Sequence, residues 1–250
     1  MIFHVPWHDY LPVLGAALLK TVELTIAGFF GACAFGLVLA LSRLSRSRLA
    51  SRTAYTVIEI FRNLPVVTGL FIVYFGLTTL QVTLTGFSAG VLCLSLFYGA
   101  YLAEIFRGGM QSIAPGQKEA ANALGFTGRG TFLSVELPQV IRVVLPSTTT
   151  IFIDLLKGTS LLVTIGGGEL MTQATVITSD TYRPLEVYVV IGCIYLVLCF
   201  SLSRAAARLE QWLRDGRPLS LSSHRMRELA RAHQARAQSA RDGMQKEIAS

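Results

Sequence analysis

Charged residues along this chain are bunched, and the gaps between the bunches are long and apolar. No Asp, Glu, Lys or Arg occurs from Leu24 to Ser42, from Asn63 to Ala103, or from Val187 to Ser203. A hydrocarbon core about 30 Å thick takes roughly 20 apolar residues per helix. The middle gap holds two crossings, with Gln81–Gly86 as the natural break. The pattern predicts five membrane helices, over Leu14–Leu41, Thr56–Thr79, Phe87–Phe106, Pro138–Leu162 and Pro184–Ala207. The fold class expected is an all-α integral membrane protein. Residues 14–212 form the transmembrane domain, 1–13 an interfacial or periplasmic N-terminus, and 213–250 a cytoplasmic basic tail.

The loops set the orientation. Arg43, Arg46, Arg48 and Arg52 follow the first helix with no acid among them, which marks this loop as cytoplasmic. The N-terminus is then outside, and the uncharged Gln81–Gly86 loop faces the same way. Helix three ends at Arg107 inside, Gly166–Arg183 returns outside, and Arg204, Arg208 and Arg214 follow helix five inside. Trp7 and Tyr10 suit an interfacial belt. Met1–Leu11 lacks both a basic n-region and a contiguous apolar h-region, so no cleavable signal is expected.

Composition agrees with a membrane protein. Only 15% of the residues are charged, against roughly 25% in soluble domains. The net charge of +7 lies in loops and tail rather than on a folded surface, so no nucleic-acid partner is expected. Cys33, Cys93, Cys193 and Cys199 all fall within predicted spans without a CxxC, and free thiols are expected. His4, His8, His224 and His233 lie outside the spans. With no GxSxG, HExxH or metal-type cluster, neither an enzyme nor a metal site is expected. Helix one carries Gly28, Gly31 and Gly36 with Ala27, Ala32 and Ala40, spacings that let helices approach closely in lipid.

One segment between the apolar runs is polar and helix-prone, Ala114–Pro146. Pro115 can start a helix there and Gly125 can stop it. Thr127 can cap a second short piece. Ala120, Ala121 and Ala123 give the first helix a small-residue face suited to close docking.

Four acid–base pairs recur at i, i+3 spacing: Lys20/Glu23, Glu59/Arg62, Glu104/Arg107 and Asp154/Lys157. On a helix such partners share a face. Charge within the membrane requires pairing or a wet cavity. The first and third pairs are read as structural. Glu59 and Arg62 precede Asn63-Leu64-Pro65, and Pro65 removes a backbone hydrogen bond whose freed carbonyl must face protein or water. Asp154 and Lys157 follow the polar stripe Thr148-Thr149-Thr150. Glu59, Arg62, Asn63, Pro65, Asp154 and Lys157 are therefore candidate path residues, the competing reading being mutual neutralisation near helix ends.

At this point the residues resemble a family. Glu119-Ala120-Ala121, three residues, Gly125, nine residues, Val135, one residue and Leu137-Pro138 resemble the EAA loop of ABC importer permeases, with Val135 in place of Ile. EIFRNLP at 59–65, AEIFRGG at 103–109, SIAPGQ at 112–117, LPQ at 137–139 with Arg142 and Leu145-Pro146, and KGTSL at 157–161 resemble its polar amino-acid uptake branch. Thr127–Gly130 is unusually glycine-rich for the second coupling piece, which is expected to be short. Asp154 stands where many relatives have a small polar residue.

The resemblance implies a permease subunit in the bacterial inner membrane that moves polar amino acids. It implies two separate ATP-binding subunits, a second permease copy or sister permease, and a periplasmic or lipid-anchored solute-binding protein, all in membrane lipid. Glu119, Ala120, Ala121, Gly125, Leu137 and Pro138 would form the ATPase-coupling site. No G-x-x-x-x-G-K-[ST] loop occurs, so no cofactor is expected on this chain, and ATP with Mg²⁺ belongs to the partner ATPase. The alternative is an ion-gradient-driven secondary transporter, against which stand the few helices and the lack of visible inverted repeats.

Overall fold

The computed structural model describes residues 5–214, which form helices and loops with no strand among them. The expected tail at 213–250 lies almost wholly outside those residues. Helix α1 is Trp7–Leu44, longer at both ends than the predicted Leu14–Leu41. The stretch expected as an interfacial N-terminus is thus largely its first turns. α4 is Gly86–Gln111, with the Thr85 hydroxyl accepting from the Ser88 N–H at 3.2 Å as its cap.

The predicted second span is broken. Helix α2, Arg48–Asn63, and helix α3, Val66–Thr79, meet at 111° across Leu64-Pro65. Leu64 is extended at φ −86°, ψ 134°, as a residue before proline prefers, and Pro65 has no N–H to continue the ladder. Among the described residues four further segments are long and apolar enough to cross a membrane: Trp7–Leu44, Gly86–Gln111, Gly128–Ile165 and Pro184–Trp212. The bent pair makes a fifth if it counts as one span.

After α4 come α5, Pro115–Ala123, and the single turn α6, Gly128–Thr131. A π-helical turn, Phe132–Glu136, leads into α7, Leu137–Gly158, which tightens into a 3₁₀ turn over Thr159–Ile165. The connection expected between Gly166 and Arg183 contains its own helix, α8, Leu170–Thr181. Helix α9 is Pro184–Arg214.

The small residues of α1 face α4, and the two helices pack along most of their lengths. A Cβ on Gly36 would stand 2.7 Å from the Gly99 carbonyl oxygen, so no larger residue fits that crossing. Ser95 closes the same seam by donating to the Gly28 carbonyl at 3.2 Å. Such close backbone contact supplies the attraction that apolar burial cannot supply between helices in lipid.

Two main cores result, beside a small cluster of Leu39, Ala54, Ile58 and Ala103. The larger joins Leu24 and Ala32 of α1, Leu70 of α3, Phe97 and Leu102 of α4, Leu155 of α7 and Leu162 of the 3₁₀ turn. The smaller joins Val5, Leu14 and Ala17 to Leu170, Ala174 and Ile177 of α8 and to Val187 and Ile191 of α9. Large apolar side chains such as Phe30, Val38, Leu196 and Val197 are exposed, as a lipid-facing surface requires. Arg43, Arg107 and α5 share one end of the bundle, the basic end, and α8 lies at the other.

Candidate coupling loop and solute path

α5 begins as its sequence suggests, with Pro115 in the first turn, where its missing N–H would have had no partner. It ends at Gly125, whose φ is +81°. The Phe126 N–H reaches back to the Ala121 carbonyl at 3.1 Å and the Gly125 N–H to Asn122 at 2.9 Å. This reciprocal pair satisfies carbonyls that the helix end would otherwise leave free, and only the left-handed residue between makes it possible. Nothing lies within 4 Å of where a Gly125 Cβ would stand, so the glycine is needed for its dihedral and not for space.

Pro115 through Ala120 are all exposed, and Glu119 carries no ion pair among the described residues. Ala121 is buried within this chain, 2% exposed. The outward face is Glu119 and Ala120. The Thr127 hydroxyl accepts from the Gly130 N–H at 3.2 Å, the expected cap, on a piece as short as its glycines suggest. Leu137 and Pro138 are half-buried at the start of α7.

The candidate path residues fall into two groups. In the first, Asn63 donates to the Glu59 carbonyl at 2.8 Å and to its carboxylate at 3.0 Å, and Arg62 lies 3.7 Å from that carboxylate. Arg48, Arg52, Thr56, Glu59 and Asn63 are all exposed or half-exposed on one face of α2. They make a polar stripe from the basic end to the break at Pro65, itself exposed. In the second group, Lys157 and Asp154 pair at 3.0 Å, with side chains 58% and 46% exposed. Thr149 and Thr150 turn back onto their own helix, and the Thr148 hydroxyl is buried without a hydrogen-bond partner.

Two tyrosines one turn apart on α4 link these groups, and sequence reasoning missed both. The Tyr101 hydroxyl donates to the Arg62 carbonyl at 3.2 Å, and the Arg62 guanidinium sits 5.6 Å above its ring. The Tyr98 hydroxyl donates to the Asp154 carbonyl at 2.9 Å. Their i, i+3 spacing in an uncharged span was the available signal.

Of the pairs read as structural, Glu104 and Arg107 meet at 2.6 Å, and Arg43 adds a second cation at 3.9 Å. Lys20 and Glu23 are not an ion pair. The Lys20 ammonium instead lies over Gly168, 2.8 Å from where a Cβ would stand. All four cysteines are free.

Residues 32–215 match the family described as binding-protein-dependent transport system inner membrane component. The chain belongs to this family. The EAA loop read at Glu119–Pro138 is one of its marks. This permease is 34% identical over 193 residues to a probable glutamine ABC transporter permease protein of Bacillus subtilis, covering 77% of this chain and 89% of the relative. It is 34% identical to an arginine ABC transporter permease protein of Haemophilus influenzae over 197 residues, 76% and 88% of the two chains. An L-cystine transport system permease protein of Bacillus subtilis is 33% identical over 84% of this chain and 92% of its own. The solved structure of an amino acid ABC transporter with histidines superposes at TM-score 0.78 and 33% identity, covering 84% of this permease and 99% of that chain. A methionine ABC transporter in an inward-facing conformation, at TM-score 0.70 and 20% identity, shares the fold. Membership in a binding-protein-dependent family sets aside the ion-gradient-driven alternative.

Proposed function

We propose that this permease imports polar amino acids across the bacterial inner membrane, driven by two separate ATPase subunits and supplied by a solute-binding protein on the outer side. The observation that carries this reading is the exposed turn-and-a-half of α5. Glu119 and Ala120 point away from the chain there, held by the Gly125 cap, in a family defined by binding-protein-dependent transport. The relatives' names, glutamine, arginine and cystine among them, support polar amino acids as the substrate class. ATP and Mg²⁺ belong to the partner, α5 faces the cytoplasm with the arginines of the basic end, and α8 faces outside. A second copy or a sister permease completes the unit against the exposed apolar faces.

The solute passes along the polar stripe of α2 and the Asp154–Lys157 pair, on either side of Tyr98 and Tyr101. Glu59, Arg62, Asn63 and Pro65 form one wall of that path. ATPase closure shifts the helices only by the difference in affinity between the two states.

Reconstitution with the cognate ATPase and binding protein tests the reading. Uptake of a labelled amino acid should require ATP on the α5 side. Gly125→Val should abolish uptake and release the ATPase while insertion stays intact. Uptake that survives ATP depletion under a clamped ion gradient would end the importer reading, and a normal ATPase pull-down by Gly125→Val would end the docking assignment.

A further inference from the structure

Glu169 is fully buried, and no cation pairs with it among the described residues. Its carboxylate is nevertheless well used. One oxygen accepts from the Thr172 N–H at 3.0 Å and the Thr172 hydroxyl at 2.7 Å. The other accepts from the Met171 N–H and from the Tyr195 hydroxyl, the latter at 3.4 Å. The first three contacts cap α8, as a side-chain oxygen at a helix N-terminus does. The fourth does something a cap does not need, because Tyr195 belongs to α9. Around the same point, Thr21 of α1 accepts from the Leu170 N–H at 3.2 Å, and the Thr159 hydroxyl lies 3.4 Å from that of Tyr195.

The chain just before Glu169 is a tight glycine turn. Gly166 and Gly168 have φ of +69° and +73°, with Gly167 between them. The Gly166 carbonyl lies against the start of α4, close enough that a Cβ on Gly86 would stand 2.7 Å away. The three glycines thus separate the larger core, which ends at Leu162 and Ile165, from the smaller one, which begins at Leu170. At its far edge the smaller core is tied again, where Glu186 of α9 accepts from the Val5 N–H at 3.1 Å.

We propose that the Glu169–Tyr195 contact is a latch that fixes α8 to α9, so that α8 swings on the Gly166–Gly168 linker together with α9 during transport. Glu169 is then a positioning residue, acting through α8 and touching no solute. The latch rests on geometry alone. The swing rests also on the importer reading above.

Two substitutions separate latch from cap. Tyr195→Phe removes only the α9 hydroxyl. Glu169→Asp keeps a preferred capping residue but falls one methylene short of Tyr195. Hydrogen exchange of α8 amides is read in the purified permease–ATPase complex, and uptake per ATP hydrolysed is read in vesicles. Loss of one hydrogen bond predicts exchange faster by about fivefold in both variants. Uptake per ATP should fall severalfold in both, with assembly and expression unchanged. Wild-type exchange in Tyr195→Phe would overturn the latch. Faster exchange with unchanged uptake per ATP would overturn the swing. Uptake is measured first in the wild type, where its absence would overturn the importer reading and the swing with it, while the exchange arm decides the latch independently.

Discussion

Tyr98 sits on Gly158: a Cβ at residue 158 would stand 2.4 Å from the tyrosine hydroxyl and 3.1 Å from its ring. The same hydroxyl donates to the Asp154 carbonyl one turn earlier on α7. The glycine therefore lets α4 reach the backbone beside a candidate path residue. Gly158→Ala should push Tyr98 off that carbonyl and destabilise the permease by about 1–3 kcal/mol, the range for overpacking. Tyr98→Phe in the same chain should recover part of the loss. Thermal unfolding of the two single variants and the double variant checks this, and strictly additive effects would show that the two residues do not interact.

Gly125 makes a different prediction because nothing crowds it. Its φ of +81° is strained for a side chain in proportion to β-branching. Gly125→Asn should keep most of the uptake rate, and Gly125→Val should lose it with α5 unseated. The comparison is read as ATPase retained on a tagged permease. Equal loss in both would mean that volume at the partner surface matters, and not the turn.

Glu104 answers two arginines at once. Arg107 holds one of its oxygens at 2.6 Å and Arg43 lies 3.9 Å from the other, all three about a quarter exposed. Removing the acid leaves two like charges facing each other in a half-dry site. Glu104→Gln should cost about 2 kcal/mol, below the figure for a fully buried pair because water still screens it. Adding Arg43→Gln should return part of that, which thermal unfolding of single and double variants would register.

The path assignment is tested where the polar groups are most exposed. Asn63→Ala and Asp154→Asn should each lower uptake severalfold with expression and ATPase assembly unchanged. Normal transport in both variants would leave their pairing a matter of solvation alone.

The membrane character and the helix over Pro115–Ala123 were legible in the sequence, because each rests on local signals. Gaps in charge mark the spans, and Pro115 and Gly125 fix both ends of α5 through backbone preferences that need no partner. Direction was harder. A charge-free run reads as one span whether or not it bends, so Asn63-Leu64-Pro65 announced a polar break but not its 111° angle. α8 escaped notice because it is rich in threonine, which has modest helix propensity. What holds it is Glu169, Thr21 and Tyr195, brought together from three distant parts of the chain. Spacing also misled: Lys20 and Glu23 could share a face, but Lys20 finds more room over Gly168. The motif names Ala121 but not which way the helix is rolled, and in this chain that residue is buried.

Glu169 gives the last prediction, a pH dependence with a definite sign. Burial raises its carboxyl above the usual 4.5, although Thr172, Met171 and Tyr195 each pull it down. Lys20 of α1 lies over the neighbouring Gly168. A native value above the unfolded one means that the folded chain binds more protons in the window between them. The contribution to stability is therefore fully present below 4.5 and is lost as pH climbs through the raised value. Glu169→Gln cannot titrate. Measured from about pH 5 to about pH 8, wild-type thermal stability should fall relative to Glu169→Gln as pH rises. Parallel curves would mean that the carboxyl holds its proton no more tightly in the folded chain than in the unfolded one, and that the donors around it offset its burial in full.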